Sequence, residues 1–327
     1  MRRAFCAAFL AAVLSASPAL AAQRSPVDAH AAANLKVFDT VWRRVDRDYY
    51  DRRFHGIDWK AVRAEYRPKA EAAADEPALY AVIGDMLGRL KDRHAFASSP
   101  DFLKRRAASS AGASAAAQTG PRSGRRPAEL RDGAWVVGFD AFDKGSADWL
   151  AQQISRVPAD APLVVDLRGN HGGYISELRR SLACLAPEGW VVVRTTSRRG
   201  FVESERVGAC ETPRPGPMAV LVGLRTNSSA ELFAAAIQES RRGAIVGVRT
   251  GGAVLASREY LLPDGGELSV SIGDARTGAG VRLEGQGVRP DVEAVTTGGD
   301  RQAGRDPALA RAVEVAAGRV SPGPASP

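Results

Sequence analysis

The chain has 327 residues, a formal net charge of +8 and three cysteines. That length is enough for one large domain or two modest ones whose core needs no metal or disulfide framework. Arginines are dispersed, with short clusters at Arg105-Arg106 and from Arg122 to Arg126. No aromatic residues alternate with them, so a solvated basic surface is expected and a nucleic-acid partner is not.

The amino terminus reads as an export signal. Arg2 and Arg3 precede an apolar run from Ala4 to Leu14, and Pro18 leads into Ala19-Leu20-Ala21, a small-x-small cleavage pattern. Residues 1–22 are therefore expected to be removed on export to the periplasm or the medium. The run is too short for a permanent span, and no later stretch is apolar enough, so no stable membrane insertion is expected after cleavage. Cys6 leaves with the signal. Cys184 and Cys210 remain, either as a disulfide or as two buried thiols, because sequence does not fix the distance between their Cα atoms.

Residues 23–106 form an amino-terminal helical segment. Leu35, Phe38, Val41, Trp42 and Val45 recur at helical spacing. Asp58 is placed to cap a second helix running to about Ala73. Pro77 opens a third, with Leu79, Val82, Ile83, Met86, Leu87 and Leu90 on one face. Residues 107–130, rich in Ala, Ser, Gly and Arg from Ala107 to Arg126, read as a flexible linker.

Residues 131–298 alternate strands and helices. Strands are expected at Trp135–Phe139, Leu163–Leu167, Trp190–Thr196, Met218–Leu224 and Ala244–Gly247, with helices at Ser146–Arg156, Ile175–Leu185 and Ala230–Glu239. Pro263-Asp264-Gly265-Gly266 signals a hairpin between Arg258–Leu262 and Glu267–Ile272. Residues 299–327 hold a last short helix, near Pro307–Ala317, and a Pro/Gly/Ser tail. The fold class is α/β with a mostly buried sheet, and no internal repeat is evident.

Two strand-to-helix junctions carry candidate chemistry. In Thr226-Asn227-Ser228-Ser229-Ala230-Glu231, a serine stands at the start of a helix, where free N–H groups and the helix dipole favour negative charge. Such donors stabilise the oxyanion formed when a hydroxyl attacks a carbonyl. Taken alone, the segment reads first as a helix cap, by Ser228 or Ser229, with Glu231 completing a capping box. In Asp166-Leu167-Arg168-Gly169-Asn170-His171-Gly172-Gly173, the glycines allow close approach of backbone to a ligand, and Gly172 or Gly173 can supply a second oxyanion donor. Neither junction matches a phosphate-binding glycine pattern. A metal site is not expected: the four histidines are scattered, HExxH is absent and the cysteines lack zinc spacing. No cofactor is expected.

These segments, followed by Val246-Gly247-Val248-Arg249-Thr250-Gly251-Gly252 and Gly285-Gln286-Gly287-Val288-Arg289-Pro290-Asp291, resemble in order and spacing the serine peptidases that include the C-terminal processing (tail-specific) proteases and the tricorn core protease. Tyr49-Tyr50-Asp51 and Gly56-Ile57-Asp58-Trp59 resemble that family's helical entry segment, so the likeness covers most of residues 34–295. It implies a crotonase-like (ββα superhelix) catalytic core and a peptide or protein substrate. It also implies Ser228 as nucleophile, with an oxyanion hole from the Ser229 N–H and Gly172 or Gly173. In the processing branch a lysine 25 residues after the serine is the base. Here that position is Ala253, and Lys144 is the last lysine of the chain. Arginine stays protonated and cannot replace it. The tricorn-like branch uses a histidine, matched by His94 in Asp92-Arg93-His94-Ala95, and a late glutamate, matched by Glu284. An imidazole titrating near neutrality suits the base role. His171 is its rival, whereas His30 is expected in solvent and His55 in a structural turn. Arg93 stands where the tricorn-like pattern has a serine that links histidine to glutamate, so the path from Glu284 to His94 is expected to run through water or to be absent. About 40 residues separate His94 from Trp135, too few for a PDZ domain of roughly 80–90 residues. The expectation is thus an exported serine peptidase acting through an acyl-enzyme. The alternatives are an inactive member that binds peptide or an apolar ligand in the same cleft, and an esterase or other acyl hydrolase. Oligomeric state is not legible.

Overall fold

The computed structural model describes residues 26–116 and 124–321; the expected signal at 1–22 lies outside them. Three helices open the chain, α1 (Pro26–Asp48), α2 (Trp59–Glu71) and α3 (Glu76–Gly88). Asp58 caps α2 as expected, its carboxylate accepting from the Lys60 and Ala61 N–H groups. Asp75 caps α3 through Ala78 N–H. The predicted apolar face is buried at Phe38, Val41, Val45, Leu79, Ile83, Met86, Leu87 and Leu90. No helix among the described residues is long and apolar enough to cross a membrane.

The expected linker is a correction. After the short strand β1 (Phe96–Ser98), a helix α4 runs over Pro100–Ala116, and β2 occupies Arg125–Arg131. Alanine is the strongest helix former and needs no apolar face to be helical. β2 pairs antiparallel with β3 (Ala134–Phe139) as a charged edge strand.

A six-stranded sheet forms the centre, in the order β11 (Val292–Glu293), β8 (Ala244–Gly247), β7 (Met218–Val222), β4 (Leu163–Asp166), β3, β2. Apart from β2–β3, its four pairings are parallel, through β3, β4, β7, β8 and β11. Side chains alternate across the sheet. Val137, Phe139, Leu163, Val165, Val220 and Ile245 join one core with the helices α5 (Ser146–Ile154), α6 (Ile175–Leu182) and α7 (Ser229–Glu239). Val136, Val164, Ala219, Leu221 and Val246 join another core with Ala312, Val313 and Ala316 of α9 (Pro307–Ala316). Burial on both faces is why Leu163–Val165 reads as an unbroken apolar run.

The second sheet runs β1, β10 (Glu267–Thr277), β5 (Val191–Ser197), β6 (Val202–Arg206), with β9 (Ala256–Leu261) paired to β10. The expected hairpin at 263–266 joins β9 and β10, with Leu261 opposite Glu267. Strand β10 spans the molecule. Its Leu268 and Val270 lie in the helical segment's core, and its Ala275 lies in the main core. Cys184 and Cys210 form a disulfide with their Cα atoms 5.3 Å apart.

Candidate active site

The nucleophile candidate stands where β7 gives way to α7. Thr226, fully buried, locks the connection: its hydroxyl donates to Leu167 O at 2.8 Å and accepts the Gly223 N–H at 2.9 Å. Asn227 N–H donates to Asn170 O at 3.0 Å, tying the two glycine- and serine-bearing junctions together. Ser228 follows with φ 53° and ψ −123°, a region that side-chain-bearing residues seldom occupy. Ser228 and Glu231 are arranged as a capping box, but its hydrogen bonds run through backbone and carboxylate. Glu231 Oε2 accepts the Ser228 N–H at 3.0 Å, and the Glu231 N–H goes to the Ser228 carbonyl at 2.9 Å. The Ser228 hydroxyl makes no cap hydrogen bond.

Glu231 is fully buried and anchors more than the cap. Its carboxylate also accepts from the Thr250 hydroxyl, from Gly252 N–H at 2.8 Å and from Ala253 N–H at 2.8 Å. Burial pushes its carboxyl above the usual glutamate range, against the pull of these donors. Ala253, where a processing protease has its lysine, is buried and points no base at the serine.

The glycine-rich turn abuts the serine. A Cβ on Gly172 (φ +96°) would lie 2.6 Å from Ser228 Cβ and 3.1 Å from its Oγ, so only glycine fits. The Gly172 N–H, however, donates to Asn170 Oδ1 at 2.9 Å. That removes Gly172 as an oxyanion donor. The Gly173 and Ser229 N–H groups have no partner among the described residues, and the Ser229 hydroxyl donates to Gly173 O at 2.8 Å. Ser228 opens onto a cleft of about 400 Å³ walled by Ile175, Leu232, Val254, Leu255 and Ile272, with Glu203 and Glu205 also lining it. A larger cavity, of about 720 Å³, lies beside Cys184 and Arg214 and contains none of the candidate residues.

His94 lies in a turn just before β1. Its N–H donates to Asp92 Oδ1 at 2.8 Å, and its Nδ1 lies 3.7 Å from the same oxygen. Its neighbour Arg93 donates to Gly251 O at 2.7 Å and Gly252 O at 3.0 Å. The histidine turn is therefore docked on the 250–253 loop that Glu231 holds against the serine. Arg93 does not reach Glu284, whose Oε2 accepts Val254 N–H at 2.6 Å. Glu284 and Asp92 line a second hollow of about 420 Å³ with Tyr50 and His55. His171 is exposed and its ring makes no hydrogen bond among the described residues; only its N–H is used, to Asp140 O. His55 is held by Tyr49 and Tyr50 hydroxyls, at 3.0 and 3.3 Å. His30 is exposed, as expected, with its Nε2 3.1 Å from Ala73 O. No cluster able to hold a metal ion occurs among the described residues.

Sequence reading gave Asp92 no role, although an Asp two residues before a histidine is the pattern of an Asx turn. It saw Glu231 only as a cap, because its second set of donors lies about twenty residues downstream.

Residues 136–294 match the model of peptidase family S41, and residues 31–88 match the tricorn protease C1 domain. The "Putative tricorn protease homolog 2" of Streptomyces coelicolor is 35% identical over 182 residues, covering 53% of this chain and 14% of that protein. The "C-terminal processing peptidase, chloroplastic" of Tetradesmus obliquus is 33% identical over 133 residues, covering 41% of this chain and 28% of that one. The chain thus spans well under a third of the length of either relative. Among solved structures, a photosystem II D1 C-terminal processing protease superposes with TM-score 0.60 at 21% identity, covering 80% of this chain and 93% of that one. The tricorn protease superposes with TM-score 0.60 at 15% identity, covering 87% of this chain and 36% of that one. At these identities the superpositions speak for the fold.

Proposed function

From the match of residues 136–294 to peptidase family S41 we propose that the chain is a serine peptidase in which Ser228 is the nucleophile and His94 the general base. The Ser228 hydroxyl attacks the scissile carbonyl while His94 takes its proton. The same proton then passes to the leaving amine, and water resolves the acyl-enzyme by the same steps in reverse order. The oxyanion is met by the N–H groups of Gly173 and Ser229, which nothing else engages. The apolar walls of the adjoining cleft suit an extended peptide presenting an aliphatic side chain. The signal-like amino terminus supports export, with action in the periplasm or the medium.

One observation carries this reading: at the N-cap position Ser228 is held at φ 53° and ψ −123°, a strained conformation, packed against a turn where only glycine fits. A serine kept only for capping has no use for that strain. The test is Ser228→Ala. The variant is expected to fold and to lose hydrolysis by about three orders of magnitude or more, together with fluorophosphonate labelling. Turnover of a peptide library retained in the variant would refute the assignment. Preference for simple esters over every peptide would instead favour an esterase, and a wild type that neither labels nor turns over would favour a binding protein.

A further inference from the structure

We infer that Asp92, not Glu284, is the carboxylate that orients His94. The inference rests on reading His94 as the base and adds the group that fixes its tautomer. Three buried polar atoms without a hydrogen-bond partner lie in this one part of the molecule: His94 Nδ1, Asp92 Oδ2 and, on β10, Ser271 Oγ. Unpaired buried polar atoms are rare because each forfeits its hydration. Here a donor and an acceptor are missing from adjacent groups. His94 Nδ1 is 3.7 Å from Asp92 Oδ1, beyond hydrogen-bond range, and a small rotation of either side chain closes the gap. The Asp92 side chain is only 2% exposed and that of His94 18%. A bond formed there is sheltered from water and strong.

The rest of the turn fixes this pair in place. Asp92 Oδ1 already holds the His94 N–H at 2.8 Å, and Arg93 pins the turn to Gly251 and Gly252. With Nδ1–H turned to Asp92, Nε2 is the nitrogen left to accept a proton from serine, the division of labour a histidine base requires. Glu284 is otherwise placed. It accepts the Val254 N–H at 2.6 Å, and no hydrogen bond from His94 reaches it. The Asp92 carboxyl sits below the usual aspartate range: burial pushes it up, but His94 and Ser271 pull it further down. It therefore remains an anion across the working range of an imidazole. The other charged or titratable groups facing this region are Tyr49 just after α1, Tyr50, His55, Arg89, Lys91, Arg282 and Glu284. Arg282 is paired with Asp274 and His55 lies near Asp51.

Asp92→Asn is the discriminating variant: asparagine keeps one oxygen for the His94 N–H but sets an NH₂ in place of Oδ2, the acceptor left free for Nδ1–H, and loses the charge. Its kcat is expected to fall by roughly 10³–10⁴ with KM within about threefold. Glu284→Gln is expected to lower kcat at least 30-fold less. Independently of turnover, ¹⁵N NMR of the imidazoles reads the tautomer. Wild-type His94 is expected as Nδ1–H, and Asp92→Asn shifts it toward Nε2–H, while His55 is unaffected. An unchanged tautomer and kcat within threefold in Asp92→Asn, or a larger loss in Glu284→Gln, overturns the inference. A wild type without hydrolysis or labelling overturns the peptidase reading alone, because the NMR arm still decides whether Asp92 holds His94.

Discussion

A serine at the head of a helix ordinarily takes extended backbone and turns its hydroxyl onto the first free N–H groups. Ser228 departs from both habits, and Glu231 supplies what the hydroxyl does not. One carboxylate oxygen takes the N–H groups of Ser228 and Ala253, and the other takes the Thr250 hydroxyl and the Gly252 N–H. Every acceptor position faces a donor, so no amide can replace the carboxylate. Glu231→Gln sets an NH₂ against two of those donors, and we expect it to destabilise the fold by about 2–3 kcal/mol. It also releases the 250–253 loop. Chemical denaturation measures the first effect, and a loss below about 0.5 kcal/mol would mean that the donors find other partners. The glycines and the serine of this site were legible in the sequence because their backbone demands are local. The parts played by Asp92 and Glu231 were not, since each depends on partners supplied by distant turns or by β10.

At the scale of elements, the sequence revealed what is buried and concealed what is merely paired. Strands β3, β4, β7 and β8 were found because both of their faces pack into cores. Strands β2 and β6 read Arg-Arg-Pro-Ala-Glu-Leu-Arg and Val-Glu-Ser-Glu-Arg, edge sequences without an apolar face. Only their ladder to a neighbour makes them strands. Helix α4 escaped notice for the related reason that helix propensity leaves no periodic trace. The disulfide belongs to this scale too. It closes a segment of 26 residues that contains β5 and β6 and returns to the end of α6. Chain-entropy arguments give such a closure about 3 kcal/mol. Reduction is expected to lower the midpoint of guanidinium unfolding accordingly while leaving the parallel sheet's circular dichroism in place below the transition. Equal midpoints with and without reductant would show that β5 and β6 are held as firmly by pairing alone.

For the whole molecule, the question is what holds the proposed base, His94, against the proposed nucleophile, Ser228. The amino-terminal helices do not form a free-standing body: their core takes in Leu262, Leu268 and Val270 from the β9–β10 hairpin. That shared core sets the helices on the second sheet and, through Leu90 and Ala95, holds the stem of the His94 turn. The finer adjustment comes from Arg93, which clasps two successive carbonyls of the loop beside the serine. Both bonds leave one nitrogen, Nη2, whose two hydrogens are fixed in the guanidinium plane, whereas a lysine offers a freely rotating point charge on a shorter stem. The residue that breaks the tricorn-like pattern thus acts as a clamp between the two halves of the site. Arg93→Ala is expected to leave the thermal midpoint nearly unchanged, since Arg93 is exposed and its removal opens no core. It should lower kcat/KM about 10–100-fold, the usual penalty for displacing a catalytic group by an ångström. Arg93→Lys should recover only part of that loss. Steady-state kinetics beside a thermal melt separates the outcomes: full activity in Arg93→Ala would show that the shared core alone aligns His94, and a large fall in melting temperature would make Arg93 a support of the fold.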